Sequence, residues 1–181
     1  MKTWNFSGHD LKDFNMNRRQ LLMGASGVLA SSLLPTFAKE PVAVSPLAKS
    51  HSDWRALLPS DSYKVLFEEG TEAAHSSPLN KENRAGTFVC AACKLPLFDS
   101  ATKYESGTGW PSFYEYIPGA LATKRDFKMI WPRTEYHCAR CGGHQGHVFD
   151  DGPKPSGLRY CNNGVALHFI AKGEKLPELR T

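Results

Sequence analysis

The sequence has no uninterrupted run of about 20 apolar residues, the length that a helix needs to cross a bilayer. Cysteine is scarce, with five residues in a chain of 181. No internal repeat is visible beyond two Cys-x-x-Cys pairs, and no long helical period follows Gly86. The segment after the first 52 residues has the length of one domain with a single core.

The first 38 residues differ from the rest of the chain. Arg18 and Arg19 directly precede a weakly apolar run that is broken by glycines and serines. This pattern resembles a twin-arginine export signal with a small-residue cleavage site after Ala38. We therefore predict a signal peptide at residues 1–38 and a periplasmic location, with a disordered basic leader or an uncleaved anchor as alternatives. Residues 39–52 contain two prolines and no amphipathic period, which predicts a linker before a domain at residues 53–181.

The net charge gives little indication of a polyanionic partner. Residues 1–38 hold four of the 22 Lys/Arg and two of the 18 Asp/Glu, so the remainder carries a formal charge of +2. A charge this small provides no electrostatic reason to expect binding to nucleic acid or to a membrane. We expect neither partner, and no stable membrane anchor once the signal is removed.

Short local patterns predict the secondary structure. Ser52–Asp53 precede an apolar spacing that favours a short capped helix ended by Pro59, and Ser60–Asp61 begin a second short helix. From Gly86 onward, aromatic and β-branched runs alternate with Gly, Pro and Asp-Gly turns. The fold class is therefore predicted as mainly β, with short helices at the N-terminal edge.

Four of the cysteines form a candidate structural zinc site. Two Cys-x-x-Cys turns supply the four thiolates of a closed tetrahedral shell, and their wide separation would let the metal join distant parts of the sheet. The ligands are Cys90, Cys93, Cys138 and Cys141. Two disulfides, a thioredoxin-like motif or buried free thiols are the alternatives, and His137 is a conceivable substitute ligand.

The fifth cysteine, Cys161, lies in the segment "LRYCNNG". If this segment is a strand, Arg159, Cys161 and Asn163 share one face, so a cation and an amide flank the thiol. An ordinary thiol is only about 3% thiolate at pH 7, and lowering its pKa by one or two units raises this to roughly a quarter or three quarters. Such a thiol could act as a nucleophile.

Three further residues are candidates for the same chemistry. His144 and His147 lie in a Gly-rich segment shortly before Cys161, and histidine can deliver a proton near neutral pH. Trp110 stands between Gly109 and Pro111 on a predicted turn. It is either a core residue or, if exposed in a cleft, a surface for an apolar or methyl-bearing ligand.

Taken together, these motifs resemble a known family. "SGTGWPSF", "RTEYHCARCGGHQGHVFDDGPKPSGLRYCNN" and the two cysteine pairs are similar to the zinc-containing type B methionine sulfoxide reductases, which act on the R epimer. The resemblance extends from about Trp54 to Phe169. It implies two antiparallel sheets that form a barrel-like core, short N-terminal helices, and one structural zinc held by the four paired cysteines.

The resemblance also implies the roles of the site residues. Cys161 would attack the sulfoxide sulfur and become a sulfenic acid while His147 protonates the oxygen. Trp110 would pack against the S-methyl group, and Arg159 would support the thiolate. His144 and Asn163 would line the polar side with His147.

One position departs from the family pattern. Many members carry a resolving cysteine where this chain has Thr108. With the other four cysteines assigned to zinc, we predict a monomeric repair enzyme for oxidised methionine, whose Cys161 is reduced by an external thiol or thioredoxin-like donor. The competing functions are a non-catalytic zinc-held β domain, which has no use for Cys161 or the histidines, and a zinc-ribbon nucleic-acid binder, which the long knuckle spacing and small charge disfavour.

Overall fold

A computed structural model describes residues 44–128 and 131–181. The predicted signal peptide at residues 1–38 and the first part of the predicted linker lie outside the described residues. The two predicted helices are confirmed as α1 (His51–Leu57) and α2 (Ser60–Glu68). The cap of α1 is Ser50, whose hydroxyl accepts a hydrogen bond from the backbone N–H of Asp53. The helix therefore begins two residues before the expected position, within the predicted linker.

The described residues contain nine strands in two sheets, and every pairing is antiparallel. The strands are β1 (Gly86–Cys90), β2 (Pro96–Asp99), β3 (Lys103–Tyr104), β4 (Ser112–Phe113), β5 (Leu121–Asp126), β6 (Arg133–Cys138), β7 (His144–Phe149), β8 (Arg159–Asn162) and β9 (Leu167–Ala171). The smaller sheet has the order β2-β1-β9 and the larger the order β3-β4-β8-β7-β6-β5. The mainly β prediction with two antiparallel sheets is thus confirmed.

The two sheets pack through an aromatic core. Phe88 and Phe98 of the smaller sheet contact Phe113 of the larger one, with ring centroids 5.0 and 4.1 Å away. Tyr136 and Tyr160 extend this cluster along the larger sheet. Burial of several aromatic side chains supplies a large part of the stabilisation of a domain of this size. The core lies between the sheets.

The barrel-like closure is a correction to the expectation. In the described residues β3 pairs only with β4 and β5 only with β6, so the larger sheet is open and no closed barrel is found. The edge strand β3 is only two residues long and offers little backbone for a further ladder.

The two helices pack against each other, and α2 also packs against β7. Trp54 of α1 stacks on Phe67 of α2 at 5.2 Å, and the hydroxyl of Ser62 donates to the carbonyl of Val165. Within residues 44–128 and 131–181, the helices lack the length and hydropathy of a membrane span. The contact at Val165 fixes α2 against the segment that follows β8, which carries Cys161.

Candidate active site

A cleft of about 120 Å³ opens beside Cys161. Four of the six candidate catalytic and substrate-binding residues line it, whereas His144 and Arg159 do not. The lining residues are Thr71, Trp110, Arg133, Gly146, His147, Phe149, Cys161, Asn162 and Asn163. The fold therefore brings a thiol, an imidazole and an indole from three separate segments into one small volume.

Strand register places Cys161 beside His147. The two residues are direct partners in the antiparallel pair of β7 and β8, so their side chains project from the same face. On the other side of β8, Ser112 of β4 is the partner of Cys161. Gly146 permits this arrangement, because a Cβ at that position would lie 1.9 Å from the carbonyl oxygen of Cys161.

Burial controls the acidity of the thiol. It raises the pKa of Cys161 above the ordinary value of 9.0, while the charge of Arg159 and contacts with Thr108 and Arg159 lower it by less. Arg159 therefore lowers the pKa of Cys161, as expected, but burial raises it by more. The thiol is a weaker acid than the sequence argument suggested.

Arg159 is held by its own partners. Its guanidinium donates two hydrogen bonds, of 2.7 and 2.8 Å, to the carboxylate of Asp151, and it lies 4.2 Å from the centroid of the Phe149 ring. The Asp151 charge compensates part of the Arg159 charge, which weakens its effect on Cys161. Arg159 also supports Phe149, an apolar wall of the cleft.

His147 is oriented by a carboxylate. Its Nε2 lies 2.8 Å from Oδ2 of Asp126, which also accepts a 2.6 Å hydrogen bond from Arg133. The backbone N–H of Lys128, then His147 and Arg133, hold the pKa of Asp126 well below its usual range. Because Asp126 is an acceptor only, Nε2 of His147 must carry the proton of this hydrogen bond. Burial lowers the pKa of His147, and Asp126 opposes that effect.

His144 is adjacent to His147, and only 3% of its surface is exposed to solvent. The two rings meet edge-on with centroids 5.4 Å apart, and Nδ1 of His144 is 3.2 Å from Oε1 of Glu135. Burial lowers the pKa of His144 as well. The structure thus brings His144 against His147 but not onto the surface of the cleft.

Hydrogen bonds fix both the Trp110 side chain and the loop that carries it. Its indole Nε1 donates to the carbonyl of Glu72 at 3.2 Å, so one edge is held while the ring lines the cleft. The preceding Gly109 has φ +91° and accepts a hydrogen bond from the backbone N–H of His75. A side chain at this left-handed position would also collide with His75. Trp110 is a wall of the site rather than a core residue.

Glu72 was not identified from the sequence, yet it joins both sides of the cleft. Its backbone N–H donates to Oδ1 of Asn163 at 3.1 Å, and its carboxylate accepts the backbone N–H groups of Gly164 and Val165. Burial raises the pKa of this carboxyl. Glu72 therefore connects the turn after Cys161 to Trp110, whose indole donates to the Glu72 carbonyl.

Asn163 lies just beyond the end of β8 and lines the cleft. Besides its contact with Glu72, its Nδ2 donates to the backbone carbonyl of Gln145 at 3.0 Å. The predicted shared strand face with Arg159 and Cys161 does not extend this far, because β8 ends at Asn162. Asn163 begins the short 3-10 helix Gly164–Ala166 instead.

Three other site residues, Asp126, Arg133 and Phe149, were also not identified from the sequence. Phe149 follows directly from the motif that contains His147, so the alternation of β7 could have identified it. Asp126 and Arg133 stand at either end of the connection between β5 and β6. A charged pair flanking such a connection carries no local signal of its contact with a histidine on another strand.

Thr108 lies next to Cys161. Its Oγ1 lies 4.0 Å from Sγ of Cys161 and 2.8 Å from the hydroxyl of Ser106. None of the five cysteines forms a disulfide in the described residues. A hydroxyl rather than a second thiol therefore contacts Cys161.

The four paired cysteines form one cluster, with all four sulfur atoms within 4.8 Å of one another. Sγ of Cys90 is 3.7 Å from that of Cys141, and Sγ of Cys93 is 3.5 Å from that of Cys138. Tetrahedral zinc with Zn–S bonds of about 2.3 Å requires sulfur atoms roughly 3.8 Å apart. The cluster fits such an ion, and the contacts join the two pairs rather than forming a disulfide within each pair.

The surroundings of the cluster also fit a cation. Hydrogen bonds among the cysteine sulfurs raise the pKa of Cys90 and Cys141 and lower that of Cys93. A bound cation would let these buried thiols ionise together. Nε2 of Gln145 lies 3.6 Å from Sγ of Cys90, and the carbonyl of Gln145 accepts hydrogen bonds from Asn163. Gln145 therefore connects the cluster to the cleft.

Comparison with known proteins identifies clear relatives. A family model described as the SelR domain matches residues 58–171. A peptide methionine sulfoxide reductase MsrB of Leptospira interrogans is 50% identical over 122 residues, covering 67% of this chain and 93% of the relative. The corresponding protein of Pseudomonas putida strain W619 is 51% identical over 122 residues, covering 67% and 92%. Peptide methionine sulfoxide reductase B1, chloroplastic, of Arabidopsis thaliana is 39% identical over 169 residues, covering 92% and 84%.

Proposed function

The chain belongs to the SelR-domain family of MsrB peptide methionine sulfoxide reductases, and from this premise we propose that Cys161 is its sole redox-active residue. The protein is a peptide-methionine (R)-S-oxide reductase, an oxidoreductase that repairs oxidised methionine. The observation that carries the proposed role of Cys161 is its position in one cleft with His147 and Trp110.

In the first half of the reaction, Sγ of Cys161 attacks the sulfoxide sulfur. The substrate sulfur gains two electrons and leaves as methionine, and Cys161 becomes a sulfenic acid that retains the oxygen. The thiol proton ends on that oxygen, so the step needs no net proton. His147 can transfer it, because Nε2 is bound to Asp126 and Nδ1 remains to exchange a proton.

The cleft walls favour a bound sulfoxide over water. Trp110 and Phe149 provide apolar surfaces for the S-methyl group, which distinguishes it from the oxygen on the polar side near His147. This separation supports discrimination between the two epimers, since exchanging oxygen and methyl would place the methyl beside the imidazole.

The second half regenerates the thiol with an external reductant. Two equivalents of a thiol convert the sulfenic acid into Cys161, water and the disulfide of the reductant. Thr108 beside Cys161 supports this route, since the contacting atom is a hydroxyl oxygen that cannot form a disulfide. We therefore propose a cycle without an intramolecular disulfide.

We propose that the cysteine cluster holds one structural zinc ion. Cys90, Cys93, Cys138 and Cys141 would supply a closed thiolate shell, whose contribution is to stabilise the fold rather than to activate the substrate. Native mass spectrometry should detect one zinc, lost in Cys90→Ser/Cys138→Ser and retained in Cys161→Ser. A metal-free and fully active native protein would contradict this assignment.

We also propose that residues 1–38 direct export through the twin-arginine route and that the mature protein is a periplasmic monomer. The support is the paired Arg18 and Arg19 before a weakly apolar segment. Deletion of both arginines should retain the precursor in the cytoplasm, and normal export of that variant would contradict the proposal. Sedimentation of the mature domain tests the monomer.

The catalytic assignment is tested by offering peptides with pure R or S methionine sulfoxide to the mature protein with excess dithiol. We expect turnover of the R epimer alone, and none in Cys161→Ser. Equal turnover of both epimers, or full activity of the serine variant, would contradict the proposal.

A further inference from the structure

A second cavity, of about 340 Å³, shares no lining residue with the catalytic cleft. We name it the second groove. Its walls come from residues 104–106, from Thr108, from residues 151–153 and from Arg159. Its volume lies in the range of small-molecule sites, roughly 300–1,000 Å³.

One wall of the second groove contacts Cys161. Thr108, one of the lining residues, has its Oγ1 4.0 Å from Sγ of Cys161. The charges of Arg159 and Asp151, two further lining residues, both act on the pKa of the same thiol. Cys161 therefore lines the catalytic cleft, and Thr108, which lines the second groove, contacts its sulfur.

Tyr104, one of the lining residues, carries an unsatisfied donor. Oη of Tyr104 is buried and has no hydrogen-bond partner in residues 44–128 and 131–181. A buried polar group left in this state costs about 1–3 kcal/mol, which a ligand with an acceptor would offset. Burial raises the pKa of Tyr104, so the phenol remains a donor throughout the neutral range.

We propose that the second groove binds the reductant of the oxidised enzyme, and that this reductant is a small polar thiol. The proposal rests on the proposed function, because it requires a sulfenic acid at Cys161. It assigns the methionine sulfoxide to the catalytic cleft and the reductant to the groove that Thr108 lines, so that neither has to displace the other.

The chemistry is a pair of thiol exchanges. The sulfur of the first thiol attacks Sγ of the sulfenic acid, an S–S bond forms, the S–O bond breaks, and the oxygen leaves as water with the proton of the thiol. A second thiol attacks the mixed disulfide and releases Cys161 together with the disulfide of the reductant. Cys161 is reduced by two electrons, and two thiols are oxidised by one electron each.

The charges of the groove indicate which thiols are preferred. The charge of Arg159 is compensated by its two hydrogen bonds to Asp151, and the acidic Glu105 is the remaining charged residue of the lining. A cationic thiol should therefore react faster than an anionic one. Cysteamine, 2-mercaptoethanol and 3-mercaptopropionate provide a cationic, a neutral and an anionic probe of similar size.

Two variants test the groove in the mature protein. We expect Glu105→Lys to slow reduction of the sulfenic acid by cysteamine severalfold and to accelerate reduction by 3-mercaptopropionate. Tyr104→Phe should slow reduction by all three thiols. Both variants should affect recycling more than methionine release in a single turnover without thiol. Glu178→Lys makes the same charge change on an exposed residue that pairs with Lys175, and should alter neither step.

Two results would overturn the inference in distinguishable ways. Unchanged rate constants for all three thiols in both variants, or equal losses in methionine release and recycling, would exclude the second groove as the reductant site. Failure of the unsubstituted protein to form any sulfenic acid would overturn the proposed function and the inference with it.

Discussion

Cys161 and His147 are direct partners on adjacent antiparallel strands, and His147 in turn contacts the carboxylate of Asp126 at 2.8 Å. The backbone register therefore sets the spacing between the proposed nucleophile and the proposed proton-transfer group, and Asp126 sets the orientation of the imidazole. The arrangement resembles that of enzymes in which a carboxylate orients the base that activates a nucleophile.

The first prediction concerns this orienting contact. Asp126→Asn removes a negative charge that raises the pKa of His147, so that pKa should fall further below its ordinary value of 6.5. NMR titration of the His147 imidazole measures the shift, and the acid-side change in methionine release against pH should move to lower pH. Asp61→Asn on α2 is the control, and an unchanged or higher His147 pKa in Asp126→Asn would contradict the account.

A second prediction concerns the acidity of Cys161. Because burial raises the pKa of the thiol and Arg159 opposes this, alkylation should increase with pH and have a midpoint above 9.0. Arg159→Met should move the midpoint higher and slow alkylation at neutral pH, by tenfold for each pKa unit. Peptide-level mass spectrometry of iodoacetamide labelling follows Cys161 separately. Arg84→Met on the exposed surface should leave the profile unchanged, and a midpoint near 7 in the native protein would exclude this description.

Features that depend only on neighbouring residues could be predicted from the sequence. The start of α2 at Ser60 and the doubled cysteine turns depend on neighbouring residues, and the side-by-side positions of Arg159 and Cys161 follow from strand alternation. Asn163 departs from that alternation because the chain turns immediately after β8 into a 3-10 helix.

The remaining site residues depend on contacts between distant segments. Glu72 lies after α2 and reaches Asn163 and Trp110, and Asp126 reaches His147 from another strand. Neither carries a periodic pattern that indicates its partner. The net acidity of Cys161 also escaped prediction, because it is the balance between burial and a cation, and burial is a property of the folded domain.

A third prediction concerns Glu72. Glu72→Gln keeps its backbone contacts with Asn163 and Trp110 but leaves its side chain with one acceptor oxygen for two backbone N–H groups. Losing one such bond should lower the free energy of unfolding by about 1–2 kcal/mol and reduce methionine release, because the turn after Cys161 loosens. Denaturant titration and single-turnover kinetics measure the two effects. Glu115→Gln at an exposed position is the matched control. Native stability and rate in Glu72→Gln would show that this contact does not position the site.

A fourth prediction concerns Thr108. With its Oγ1 4.0 Å from Sγ of Cys161, Thr108→Cys should place a second sulfur close enough for an intramolecular disulfide after a small side-chain rotation. After one turnover, mass spectrometry should find Cys161 linked to the introduced thiol. Thr123→Cys, on the exposed face of β5, should give no such link. If Thr108→Cys retained a stable sulfenic acid and formed no disulfide, the assigned proximity would be wrong.

The central claim is that Cys161 alone carries the redox change. The most direct measurement is a single turnover of the mature protein with the R sulfoxide in the absence of thiol, followed by dimedone trapping and peptide mass spectrometry. We predict one methionine released per chain, one dimedone adduct located at Cys161, and no intramolecular disulfide. A disulfide between Cys161 and any other cysteine, or methionine release without modification of Cys161, would contradict the account.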